Sequence, residues 1–144
     1  EIYLVDIPIM TNRGTFISRL MCADAGWERD RRHSGLWYIA GICANSRTEN
    51  GNVFFAGSIE AGPYLYLLRR GAVGLRVGGT FGNAVGSVFD EDHDSENIES
   101  NVFLRPKIQV VIGQNRGLVL EAAYVFGTLL REPRIGLMYR SPNR

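Results

Sequence analysis

Five charged residues stand inside otherwise apolar, regularly alternating stretches, where an enclosed charge could do chemistry. Arg76 lies in GAVGLRVGGT, Arg105 and Lys107 in LRPKIQVV, Glu121 in LVLEAAYV and Glu60 in GSIEAGPY. Brought together, they could line a narrow, porin-like polar pore. They could equally close an interior with salt bridges. The plug is the expected arrangement, because a small closed barrel has an interior that side chains just fill.

Other clusters offer weaker chemistry. Asp90, Asp92, Asp94 and Glu96 in SVFDEDHDSENIES could offer oxygen ligands to a divalent cation. The segment lacks the central glycine and closing glutamate of a helix-loop-helix calcium loop, so a solvated surface loop is expected and no metal site. His33 beside Ser34, and His93 near Ser95, raise the question of hydrolysis. No nucleophile-elbow motif accompanies them, so no catalytic residue is assigned. Arg29, Arg31 and Arg32 would suit phosphate-bearing lipid head groups, although Glu28 and Asp30 interleave them and a solubilising turn is the plainer reading.

The elements that must position these residues are β-strands. The clearest are the runs on either side of Gly113-Gln114-Asn115-Arg116-Gly117. A hairpin turn centred on Asn115 sets Ile112 against Leu118, Val110 against Leu120, Ile108 against Ala122 and Leu104 against Phe126, which makes one face wholly apolar. The other face pairs Gln109 with Glu121, Lys107 with Ala123 and Arg105 with Val125. Further strands are expected over 1–10, 16–27, 36–44, 53–68, 71–86 and 134–139, about eight in all. Turns are expected at Thr11 to Gly14 and at Arg69-Arg70. Loops are expected over 28–35, 45–52, 87–100 and 128–133.

The stretch from Gly71 to Gly86 discriminates most. Val73, Leu75, Val77 and Phe81 alternate with Ala72, Gly74, Arg76, Gly78 and Thr80. Small and charged residues fit a narrow interior, and the bulky apolar set suits lipid. The expected sidedness therefore puts Val73, Leu75, Val77, Leu120 and Tyr124 outside and Arg76, Lys107 and Glu121 inside. Tyr38, Tyr64, Tyr66, Tyr124, Phe126, Tyr139 and Trp27 are candidates for interfacial belts. Links after the fourth and sixth strands are short and those after the third, fifth and seventh longer, as in a barrel whose termini share one side, whereas the short link after the first strand and the long charged link after the second break that alternation.

Composition agrees. The 144 residues suffice for a single barrel domain spanning 1–144, and 17 glycines against 5 prolines suit tight turns and closely packed strands. With 45% hydrophobic and 22% charged residues, the chain is neither disordered nor collagen-like. No apolar run approaches the roughly 20 residues of a membrane-spanning helix, so any crossing must use strands of about 9 to 11 residues. Cys22 and Cys43 have no metal-ligand spacing. If the hairpin between the second and third strands centres near Arg32, Trp27 faces Tyr38 and Cys22 faces Cys43, which makes a disulfide possible in an oxidising compartment.

Taken together, EAGPYLYLLRRGAVGLRVGGTFG (60–82), RPKIQVVIGQNRGLVLEAAYVFG (105–127) and PRIGLMYR (133–140) resemble the small eight-stranded outer-membrane β-barrels of Gram-negative bacteria, the OmpA/OmpX type. The resemblance implies an all-β, antiparallel up-and-down barrel in the bacterial outer membrane. It further implies a monomer with a polar interior and a structural, adhesion or surface-interaction role. Membrane lipid or lipopolysaccharide, and a surface protein, are the implied partners; no nucleic acid and no cofactor are expected. In such a barrel a bulge at Gly62-Pro63 would be needed to turn Glu60 inward, away from the face of Tyr64 and Tyr66. The alternatives are a soluble barrel with an apolar interior that binds an amphiphile, and a lipid-modifying outer-membrane enzyme.

Overall fold

In the computed structural model, described over residues 2–8, 20–45, 53–90, 93–114, 116–128 and 131–141, eight antiparallel strands close into one barrel in sequence order. They are β1 (Ile2–Pro8), β2 (Leu20–Asp30), β3 (Ser34–Asn45), β4 (Val53–Arg70), β5 (Val73–Asp90), β6 (His93–Ile112), β7 (Gly117–Gly127) and β8 (Arg131–Arg140). β1 pairs with β8 from Ile2↔Arg140 to Pro8↔Arg134, so no strand edge is left open round the ring. The β6–β7 register is Ile112↔Leu118, Val110↔Leu120, Gln109↔Glu121 and Lys107↔Ala123, as the glycine-flanked link requires.

Alternation decides the sidedness. Ile108, Val110, Ile112, Leu118, Leu120 and Phe126 lie on the outer wall, and Gln109, Val111, Val119, Glu121 and Val125 on the opposite face are buried. Ile59 and Phe81 are 69% and 65% exposed, whereas Arg76 is 0% exposed. Val73, Val77 and Tyr124 are exposed and Leu75 is half-buried on the same wall. A barrel in water would put its apolar face inward, so the soluble alternative does not fit this arrangement.

Four expectations about boundaries are corrected. The charged run 28–35 is not a loop: β2 continues through Glu28, Arg29 and Asp30, and only 31–33 link it to β3. The reason is the period of two, which buries Glu28 and Asp30 with partners while Arg29 faces out. The acidic stretch 87–100 is not irregular either, because β5 and β6 carry the barrel ladder onward through Val85↔Ser100, Gly86↔Glu99 and Val88↔Asn97. Extension of an existing ladder overrides the low strand propensity of Asp, Glu and Asn. β8 likewise begins at Arg131, inside the loop expected over 128–133.

The turn expected at Arg69-Arg70 falls at Gly71-Ala72, where Gly71 adopts a φ of 54°, a left-handed conformation that costs glycine little. The bulge lies between Tyr66 and Leu68, not at Gly62-Pro63. Leu65, Leu67 and Leu68 are all exposed, which marks Leu67 as the extra residue. Glu60, Tyr64 and Tyr66 therefore share the inner face, and the two tyrosines are not belt residues. The expected turn at Thr11 to Gly14 and the polar loop from Ser46 to Asn52 lie outside the described residues, as does Asn115.

Links after β2, β4 and β6 lie at the end that also holds Ile2 and Arg140. β4, β5 and β6 are 18, 18 and 20 residues long against 11, 12, 11 and 10 for β2, β3, β7 and β8. The shorter set matches the length that crosses a bilayer at a tilt, roughly 9 to 11 residues. The excess of β5 and β6 projects as paired strands at the opposite end, beyond Phe103↔Gly127, whereas that of β4 over β3 lies mostly at the end with the termini, beyond Ser34↔Leu65.

Candidate functional site

The interior is a column of paired charges. At the end that holds the termini, Asp30 accepts hydrogen bonds from Tyr64 Oη (3.2 Å), Tyr66 Oη (3.3 Å) and Arg140 Nη2 (3.1 Å), with Arg69 Nη2 at 3.5 Å. Arg140 also pairs with Glu28, and Arg76 Nη1 meets Glu28 Oε2 at 2.7 Å. Arg76 Nε donates to Gln109, whose amide donates to Glu121. Glu121 Oε1 accepts from Arg105 Nη2 at 2.8 Å, and Arg105 Nη1 lies 3.3 Å from Glu60 and 3.5 Å from Asp24. Lys107 Nζ and Thr80 Oγ1 complete the shell of Glu60 at 2.7 and 3.0 Å. Arg134 pairs with Glu132 at 2.7 Å and donates to Cys22 Sγ.

Thus Arg76, Arg105, Lys107, Glu121 and Glu60 are brought into one buried network. Gln109 and Thr80 join them from the face expected to be enclosed; the residues missed from sequence are Asp24, Glu28, Arg134 and Arg140, together with an aromatic wall. Trp37 and Tyr64 stack with ring centroids 4.6 Å apart, and the Arg76 guanidinium sits 4.7 Å from the Tyr64 centroid. Lys107 Nζ lies 5.3 Å from the Trp37 centroid. Such cation–π contacts stabilise ammonium and guanidinium groups that are out of water. A glycine makes room for the wall: a Cβ on Gly78 would stand 2.3 Å from the Pro63 carbonyl oxygen and 2.9 Å from Trp37. Continuing the alternation of Cys22 through Asp24, Gly26, Glu28 and Asp30 would have found the carboxylates.

Cys22 and Cys43 are cross-strand partners joined by a disulfide, with Cα atoms 4.1 Å apart. Trp27 faces Tyr38 on the outer wall, with ring centroids 6.0 Å apart. These two and Tyr139 flank the end with the termini, while Tyr124 and Phe126 approach the β7–β8 link, so exposed aromatics border both ends. Side chains of Asp90, Asp94 and Glu96, and Asp92 altogether, lie outside the described residues; so do the side chains of His93 and Ser95. Among the described residues, no group of three or more His, Cys, Asp or Glu could hold a metal ion. His33 sits in the β2–β3 link, where its carbonyl accepts from the Tyr66 amide at 2.9 Å. A cavity of about 280 Å³ opens nearby, lined by Tyr66, Arg69, Gln114 and Arg140 with the backbone of Gly71 and Gly113.

An apolar outer wall, exposed aromatics near both ends and a charged, filled interior define the fold of an outer-membrane β-barrel. The chain is similar in structure to Ail, the attachment invasion locus protein of Yersinia pestis, with a TM-score of 0.51 and 13% identity over 96% of this chain and 90% of that one. No protein-family model matches the sequence, and no curated protein matches it. The fold, together with the exposed apolar surface, points to the bacterial outer membrane and implies contact with lipid.

Proposed function

We propose that the protein is a non-enzymatic, monomeric outer-membrane barrel that holds a projecting β-sheet at the cell surface for contact with other surfaces. One observation carries the reading: β5 and β6 stay paired on the side away from the termini, where β6 continues from Val102 to His93 beyond its last pair with β7, Phe103↔Gly127. The paired column fits a rigid, closed support rather than a conduit, because its charges are spent on one another. The structural similarity to a protein named for attachment and invasion is in keeping with a contact role.

The test replaces residues 87–98 with a two-residue Asn-Gly turn, which joins the Gly86↔Glu99 pair directly. Cells displaying the shortened barrel should keep it in the outer membrane yet lose attachment to abiotic or host surfaces. Unchanged attachment at equal display would contradict the contact role.

A further inference from the structure

At the end that holds the termini, strand alternation sorts the charges of the chain into two sets. Glu28 and Asp30 turn inward and are held by Arg76, Arg140 and Arg69. Arg29, between them, faces out against Leu36 and two residues from Trp27, which is 62% exposed. The interleaved acids that would neutralise these arginines in a loop therefore do not do so in the folded strand. Arg31 and Arg32 are exposed in the β2–β3 link, Arg70 at the β4–β5 turn and Arg116 in the β6–β7 link. Among the described residues, no carboxylate pairs with any of these five arginines. Three successive links at one end thus carry exposed, uncompensated guanidinium groups. Each stands beside residues of the apolar wall: Trp27 and Leu36, Leu68 and Val73, Ile112 and Leu118.

We infer that these arginines form a rim that binds the phosphates of anionic phospholipids in the leaflet on the side of the termini. The inference rests on the membrane reading above. The occupant follows from chemistry on both sides of the rim. The apolar wall sets the depth at which acyl chains end, and a guanidinium just beyond it meets the phosphodiester layer, which it can bind through two parallel N–H···O bonds. Trp27, Tyr38 and Tyr139 mark the same interfacial depth. Phosphatidylglycerol, with a net negative charge, should therefore be preferred to zwitterionic phosphatidylcholine.

Trp27 provides the readout, since it faces out beside Arg29 while Trp37 is 1% exposed in the interior. The protein is reconstituted in phosphatidylcholine nanodiscs that contain a minor fraction of either brominated phosphatidylglycerol or brominated phosphatidylcholine, and quenching is compared. Brominated phosphatidylglycerol should quench as though enriched about five-fold, the equivalent of about 1 kcal/mol per contacted headgroup. The ratio should fall towards one when Arg29, Arg31, Arg32, Arg70 and Arg116 are all changed to Gln, and in wild type at about 1 M salt, where screening is nearly complete over a few ångströms. Arg131→Gln, at the opposite end, should leave it unchanged. Equal quenching by the two lipids in wild type, or an enrichment that survives the five substitutions, would overturn the rim while leaving the membrane reading intact. Quenching by neither lipid would overturn both.

Discussion

Arg105 on β6 reaches Asp24 on β2, the strand half-way round the ring, with Nη1 3.5 Å from Oδ2. Side chains that meet from opposite strands bridge the lumen at that level. The same guanidinium also holds Glu60 on β4 and Glu121 on β7, so one residue ties four strands together.

Removing that residue takes a cation from three buried carboxylates, of which Glu60 keeps Lys107 and Thr80 and Glu121 keeps Gln109. Arg105→Met should destabilise the barrel by about 3 to 5 kcal/mol, because an uncompensated buried charge costs more than the pair it came from contributes. Urea unfolding in vesicles measures it. Adding Glu121→Gln should recover part of the loss; strictly additive losses would mean that the two side chains do not interact.

A bridged lumen should not conduct. Recordings across planar bilayers are expected to show no steady ohmic current from the wild-type protein at neutral pH. A stable single-channel level would mean that the ion pairs open readily and that the column is a gate.

The disulfide joins residues 21 apart in sequence, within the β2–β3 hairpin. Cys22→Ser with Cys43→Ser should lower stability by about 3 kcal/mol on loop-closure entropy. Mass spectrometry of the non-reduced chain should find it lighter than the reduced chain by the two thiol hydrogens; an unchanged mass would exclude the bridge.

The β6–β7 hairpin was legible because its apolar face is continuous and its turn is flanked by glycines, so a single register satisfies both strands. The bulge at Leu67 was not, since three neighbouring leucines at 65, 67 and 68 leave the pattern indifferent to which one is extra. Glu28 and Asp30 read as loop residues because their partners, Arg76 and Arg140, lie far off in sequence, and a carboxylate in a strand makes sense only once those cations are in place. The acidic stretch from Asp90 to Glu99 misled for a different reason. Beyond a bilayer a strand no longer needs an apolar face, and its ladder is extended from the barrel below.

The lipid face carries its own test of cost. Leu120 is on the outer wall near the middle of β7. Leu120→Arg should cost about 2 to 4 kcal/mol if it lies near the bilayer midplane. A loss below about 1 kcal/mol would place it at an interface or in water.

Spin-label accessibility along β7 tests the inside-out arrangement most directly. Single cysteines are introduced from Leu118 to Ala123 in a background with Cys22 and Cys43 changed to Ser, labelled, and reconstituted in lipid. Collisions with dissolved oxygen should be high at Leu118, Leu120 and Ala122 and low at Val119, Glu121 and Ala123, with a period of two. The opposite phase, or high accessibility to a water-soluble relaxer at Leu118, Leu120 and Ala122, would contradict a barrel that turns its apolar wall to the membrane.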